Sequence, residues 1–164
     1  MNGMFLGTVF GKEKDEALMR EALIEAQKAY DCDEVPIGAL VVNNQGVIVA
    51  RAHNMVEHEL SQRAHAEALA IEYASKEIGD WRLNDHWVFV TLEPCSMCMA
   101  LMRLSRISGV VYGAPSPLFG FHLDNDTDLS VYRRDAFSII DGIMTEETAG
   151  ILRKFFHYKR KKRE

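Results

Sequence analysis

The sequence predicts an α/β fold, a three-layer α-β-α sandwich around a mixed β-sheet. Two β-rich apolar runs, residues 39–42 and 47–50, flank the turn-prone Asn43-Asn44-Gln45-Gly46 and read as a hairpin. After the hairpin, strand-like and helix-like stretches alternate, the pattern of crossovers that lay strands side by side in one sheet. Helical segments at both ends of the chain carry the apolar side chains that cover such a sheet.

The first helix is expected over residues 13–30. Met19, Leu23, Ala26 and Tyr30 fall at helical spacing, and Leu18, Ala22 and Ala29 widen that stripe into a core-packing face. Val35-Pro36-Ile37-Gly38 leads into the hairpin. Residues 64–78 are rich in good helix formers and stop at Gly79. Residues 86–92 read as a buried strand. Residues 95–104 read as a short Met- and Leu-rich helix, with Pro94 where proline suits a helix start. Another strand is expected over 107–112, closed by Gly113. Residues 114–134 hold Pro115, Pro117, Gly120 and several Asp and Asn, and read as an irregular surface segment with room for a short helix. A last strand over 137–143 precedes a helix opened by Thr145-Glu146-Glu147 and carrying Ile151, Leu152, Phe155 and Phe156. The order is α-β-β-α-β-α-β-loop-β-α.

An apolar share of 48% and a charged share of 26% exclude a disordered or fibrous chain. No repeat or Pro/Gly/Ser-rich linker divides the 164 residues, so residues 1–164 are expected to form one domain, with 1–12 a loose extension and 159–164 a basic tail. The net charge of −5 is unevenly spread: residues 153–164 carry seven basic side chains against Glu164 alone, while the rest is strongly acidic. Such a tail either lends phosphate contacts to an otherwise repelling body or is a solvated terminus. The apolar run within residues 1–10 is too short and Gly-broken for an export signal or membrane span. Three cysteines, Cys32, Cys95 and Cys98, suit a reducing compartment better than a disulfide framework, so a cytoplasmic protein without membrane attachment is expected.

The chemistry sits in a pair of short motifs. Cys95 and Cys98, three apart at a helix start, bring two sulfurs onto one face, and the positive end of the helix dipole favours their thiolate form. Alone, this pair fits a redox dithiol or half of a structural zinc site; Pro94-Cys95-Ser96-Met97-Cys98 lacks a thioredoxin-like setting. Cys32 reads as a small packed residue rather than a fourth ligand. Adding His65 makes three protein ligands and leaves the fourth tetrahedral position for water, as a catalytic zinc requires. Zinc draws the pKa of that water towards ~7, so hydroxide is available at neutral pH. Glu67, two residues after the histidine, is a helix N-terminal acid or, beside such a metal, the group that carries protons between the attacking water and a departing amine.

His65-Ala66-Glu67 followed by Pro94-Cys95-Ser96-Met97-Cys98 resembles the signature of the cytidine deaminase-like superfamily. Within it the chain is most similar to the bacterial tRNA adenosine deaminase (TadA) family. The likeness extends through Glu34-Val35-Pro36-Ile37-Gly38-Ala39, Thr91-Leu92-Glu93, Ser105-Arg106-Ile107 and Val110-Val111-Tyr112-Gly113-Ala114 to the C-terminal helix with Phe155-Phe156. The resemblance implies five strands in the mixed sheet and a homodimer whose interface helps build the substrate groove. It also implies hydrolytic conversion of the wobble adenosine of a tRNA anticodon stem-loop to inosine. Position by position, it assigns His65, Cys95 and Cys98 to one zinc ion per subunit and Glu67 to proton transfer. It matches Asn54 to the asparagine that contacts the flipped nucleotide, and Val35 and Pro36 to positions lining the pocket. The chain departs from the family before the zinc histidine, where Ser61-Gln62-Arg63-Ala64 stands in place of Asp-Pro-Thr-Ala. It departs again at Ser116 and Leu118, where an acid and a lysine commonly meet the anticodon strand. There, Phe119 and Phe121 are expected either to stack on bases or to pack against the partner subunit. Two other functions share parts of the pattern: a free-base or nucleoside deaminase of guanine or cytosine type, and a zinc-stabilised binding module without turnover.

Overall fold

The computed structural model describes residues 8–124 and 137–163. Its elements, in chain order, are α1 (Lys12–Asp31), β1 (Gly38–Val42), β2 (Ile48–His53), α2 (Val56–Glu59), α3 (Ala66–Ile78), β3 (Trp87–Leu92), α4 (Ser96–Leu104), β4 (Gly109–Ala114), β5 (Ser138–Ile140) and α5 (Thr145–Lys161). A 3-10 turn, Phe121–Leu123, follows β4. The strands form one sheet in the order β2-β1-β3-β4-β5. β1 runs antiparallel to β2 and β3, whereas β3, β4 and β5 are mutually parallel. The predicted five-stranded mixed sheet is thus present.

The alternation of side chains along each strand builds the three layers. On one face Leu40 and Val42 of β1, Phe89 of β3 and Val111 of β4 pack against Leu18, Met19 and Ala22 of α1. On the other, Ala39 and Val41, Val88 and Val90, and Val110 and Tyr112 pack against α3 and α4 through Leu69, Ala70, Ile71, Met99 and Met102. α5 docks beside α1, with Phe155 edge-on to Tyr30 at 5.7 Å between ring centroids. The two connections that matter for the site, β2 into α3 and β3 into α4, both leave from the carboxyl ends of the sheet's β2 and β3 strands, where α/β sheets characteristically place their chemistry.

Several boundaries differ from expectation for physical reasons. β2 continues past Ala50 to His53 because Ala50, Ala52 and Arg51 alternate between core and solvent, and pairing extends to Gly38 opposite His53. α2 was not expected; four residues are too few to show a period. Gly113 does not close β4 but lies inside it, where a Cβ would come within 2.8 Å of Thr148 Cβ on α5. Its missing side chain admits α5 to the sheet. Residues 9–12 are not loose. The Asp15 carboxylate accepts hydrogen bonds from the Val9 and Phe10 N–H groups at 2.8 and 3.1 Å, and Phe10 stacks on Phe89. Residues 1–7 of the expected extension, and 125–134 of the expected irregular segment, lie outside the described residues.

Gly38 fixes how closely α1 approaches the site-bearing end of the sheet. A Cβ there would lie 2.5 Å from the Ala26 backbone nitrogen and 2.8 Å from Glu25 Cβ. Backbone cannot swing aside as a flexible side chain can. Gly38→Ala is expected to destabilise the fold by about 1–3 kcal/mol and lower the thermal unfolding midpoint by roughly 2–12 °C. An unchanged midpoint in a calorimetric scan contradicts this packing account.

Candidate active site

Two helices begin at the carboxyl end of β3. His65 is the N-cap of α3 and Cys95 the N-cap of α4, both with extended backbone; Cys98 lies in the first turn of α4. The Nδ1 of His65 stands 3.7 Å from Cys95 Sγ and 3.5 Å from Cys98 Sγ. All three ligand atoms lie within 4.8 Å of one another. A tetrahedral ion with Zn–S of ~2.3 Å and Zn–N of ~2.0 Å separates nitrogen from sulfur by about 3.5 Å. The observed edges match that length, and one nitrogen with two sulfurs is a borderline-soft donor set that suits zinc. Both helix N-termini aim their positive ends at this point, which favours thiolates.

The charge state of the three groups is shared. Hydrogen bonding from Cys98, then from His65, brings the Cys95 thiol down to about 4. The same Cys95 contact, with burial, pushes the Cys98 thiol up. Cys95 also raises His65 above the ordinary imidazole range. A divalent cation bound by His65, Cys95 and Cys98 would hold both sulfurs as thiolates. Cys98 is fully buried and Cys95 half-buried, so the donor cluster faces the outside on one side only.

Glu67 sits in the first turn of α3, buried against the cluster. Burial raises its carboxyl to about 7, offset in part by its backbone hydrogen bond and by His65. A carboxyl balanced near neutrality accepts and returns a proton with little driving force lost either way.

Asn54, Val35 and Pro36 come together at the neighbouring corner. The Asn54 N–H donates to Ile37 O and the Met55 N–H to Ala64 O, both at 3.0 Å, so the end of β2 is laced across the residue preceding His65. Asn54 Nδ2 donates to Val35 O at 3.3 Å. Pro36 is buried and Val35 partly exposed. Beneath them Glu34, which sequence reasoning did not single out, is buried among N–H donors. Its residue type reads as surface, and only the fold reveals it as interior.

A second unforeseen carboxylate, Glu93, organises the segment after β4. It accepts hydrogen bonds from the Ser116 N–H at 2.9 Å and the His122 N–H at 3.2 Å, and pairs with His122 Nδ1 at 2.5 Å. A Cβ on Gly120 would meet its carboxyl carbon at 2.5 Å. The Phe121 N–H donates to Pro94 O, and Ser96 Oγ donates to Asp124. The segment is thereby wrapped around the start of α4. The two phenylalanines part company here: Phe121 packs edge-on to Tyr112, whereas Phe119 is 77% exposed beside Leu118 at 75%.

A cavity of about 720 Å³ opens between Val35, Glu57 and His58 on one side and Phe155, Phe156, Lys159, Arg160 and Arg163 of the last helix and its end on the other. The basic tail is helical through Lys161, and Lys159 pairs with Asp33 at 2.5 Å, so Lys159 and Arg160 are built into this wall. Cys32 is exposed beside the same cavity, not packed as expected: it lies just past the end of α1, beyond the apolar stripe.

Residues 12–114 match the family model for the cytidine and deoxycytidylate deaminase zinc-binding region. The chain is 43% identical over 155 residues to the tRNA-specific adenosine deaminase of Bacillus subtilis, a match covering 92% of this chain and 94% of that protein. A solved structure from a study of A-to-I editing by tRNA deaminases at the wobble position of transfer RNA superposes with a TM-score of 0.74 and 35% identity, covering 83% of this chain and 99% of that one. A guanine deaminase from Nitrosomonas europaea shares the fold, with a TM-score of 0.76 at 21% identity, covering 85% of this chain and 83% of that one.

The donor geometry makes a stoichiometric prediction. The purified chain is expected to hold one zinc ion, and Cys98→Ser or His65→Ala to lower that to below about a tenth of an ion per chain by elemental analysis. Retention of a full ion by both variants rules out this ligand set.

Proposed function

The chain belongs to the tRNA-specific adenosine deaminases of the cytidine and deoxycytidylate deaminase zinc-binding family, and from that premise we propose how it converts the wobble adenosine of a tRNA anticodon to inosine. In this reaction water adds its oxygen to C6 of the adenine, the C6–N6 bond breaks, and ammonia leaves. One observation carries the reading: a nitrogen and two sulfurs at tetrahedral edge distances, with a buried carboxylate two residues from the histidine.

His65, Cys95 and Cys98 hold one zinc ion per subunit. When bound, zinc supplies the Lewis acidity that lowers the pKa of a water in its open position towards ~7. Glu67 takes a proton from the attacking water, delivers it to the ring nitrogen N1, and serves the departing amine in turn. Its burial excludes competing solvent and keeps the carboxyl basic enough for that exchange. Asn54 holds the flipped nucleotide, and Val35 and Pro36 form the adjacent wall of the pocket. The nucleotides flanking the target lie in the cavity beside Val35, where Phe156 offers a stacking surface and Arg160 and Arg163 meet phosphates.

The full chain acts as one deaminase domain. Met97 and Leu104 of α4 expose 43% and 52% of their surface, which supports a homodimer closed across that helix beside the metal site. No helix among the described residues is long and apolar enough to cross a membrane, and a tRNA substrate supports the cytoplasm as the compartment where the enzyme works. The serine and leucine at positions 116 and 118 favour one second reading, deamination of a free base or nucleoside, since Ser116 is buried against Glu93 and Leu118 bears no charge.

Three outcomes separate these readings. An anticodon stem-loop is expected to yield inosine and ammonia, with free adenine, guanine and cytosine at least ~100-fold poorer in kcat/KM; the reverse preference establishes the second reading. Glu67→Gln is expected to keep its zinc and lose roughly 10²–10⁴-fold in kcat. Wild-type turnover in that variant removes Glu67 from the chemistry. Truncation after Tyr158 deletes five cations and is expected to reduce the salt dependence of stem-loop binding by roughly 2–3 in log–log slope. An unchanged slope removes the tail from the RNA contact.

A further inference from the structure

Glu34 is a carboxylate, 1% exposed, for which the deamination chemistry has no task. A buried charge survives only where donors surround it, and here three N–H donors converge. Oε1 accepts from the His58 N–H at 2.6 Å, while Oε2 accepts from the Glu57 N–H at 3.2 Å and from Asn54 Nδ2 at 3.5 Å. The second partner of Asn54 Nδ2 is the Val35 carbonyl at 3.3 Å.

Both groups facing that amide are acceptors. A carbonyl has no hydrogen to give, and a carboxylate already taking two backbone N–H groups has none either. Only the NH2 end of Asn54 can therefore face them, and the orientation of the amide follows from chemistry alone. With both hydrogens of Nδ2 occupied, Oδ1 is the side-chain polar atom left to meet a ligand. Asn54 is itself only 5% exposed and anchored through its own N–H to Ile37, so the side chain has little freedom to turn over.

We propose that Glu34 is a positioning residue: it fixes the Asn54 amide with Oδ1 towards the nucleotide, so that Asn54 accepts a hydrogen bond from a donor on the substrate, and in the same act seats α2 at the rim of the RNA-binding cavity. The inference rests on the assignment of Asn54 as a nucleotide contact. It acts through Asn54, which gives it a signature that a merely structural residue lacks. Gln at position 34 keeps the volume but presents its own NH2, which donates to Oδ1 and permits the Asn54 amide to invert.

A double-mutant cycle on the zinc-loaded enzyme with an anticodon stem-loop tests this. Glu34→Gln is expected to lower kcat/KM about tenfold, chiefly through KM, with zinc content unchanged. In the Asn54→Ala background the same substitution is expected to change kcat/KM by less than about twofold. An equal loss in both backgrounds overturns the proposal, because Glu34 then acts independently of Asn54. Wild-type kcat/KM in Asn54→Ala alone also overturns it, and distinguishes failure of the Asn54 contact from failure of the deaminase reading, which wild-type turnover decides. A measurement on the unaltered chain guards against a variant that does not fold. Side-chain amide exchange of Asn54 is expected to be protected at both Nδ2 hydrogens, and rapid exchange at both contradicts the orientation.

Discussion

Two helices begin at the same place, and the separations of the side chains at their first residues are those of a tetrahedral ion. His65 and Cys95 are N-caps of α3 and α4, and the sulfurs of Cys95 and Cys98 stand from His65 Nδ1 at the length of a zinc tetrahedron's edge. That convergence depends on the rest of the fold. α3 and α4 share one face of the sheet, both pressed on β3 through Val88 and Val90, and β3 delivers the chain directly into Glu93-Pro94-Cys95. The hydrophobic layers therefore set the positions of the metal-binding atoms, while the helix dipoles favour the charge state those atoms need.

Around this point the chain repeatedly uses buried acids to hold loops. Glu93 gathers the Ser116–His122 segment onto the start of α4, Glu34 gathers α2 and Asn54, and Asp15 gathers the backbone ahead of α1. Each satisfies backbone N–H groups that no helix or strand claims, and an unsatisfied buried N–H costs about 1–3 kcal/mol. Glu67 differs from these in being the acid to which we assign a task in the chemistry, and its environment differs to match. Where Glu34 and Glu93 collect N–H donors, Glu67 is chiefly desolvated and its carboxyl moves up to about 7. On the proposed mechanism the same residue type is a fastener in one setting and a proton carrier in the other.

The sequence disclosed what periodicity and spacing encode. The hairpin and the alternation of strands and helices were legible because each is a local pattern, and the trio of His65, Cys95 and Cys98 because its two short motifs together resemble a family signature. Less legible was whatever depends on two distant segments meeting. Gly113 reads as the end of a strand until α5 is placed against it, and the structural role of Glu34 is invisible until α2 exists. α2 itself is too short to carry a period. The departure at Ser116 and Leu118 reads as a loss of RNA contacts in the sequence. In the fold, Ser116 caps the Glu93 carboxylate, and the apolar pair Leu118 and Phe119 is displayed at the surface. Cys32 departs from expectation for a related reason: residue type suggests packing, but its place beyond the last buried turn of α1 leaves it exposed.

The central claim is that one ion is held by one nitrogen and two sulfurs of this chain, with a fourth position left to the reaction. X-ray absorption at the zinc edge on the purified protein reads that shell directly. The account predicts two sulfur neighbours at about 2.3 Å and two nitrogen or oxygen neighbours near 2.0 Å, one of them exchangeable on adding a substrate-like inhibitor. A shell of three or more sulfurs, or four protein ligands indifferent to the inhibitor, would contradict it.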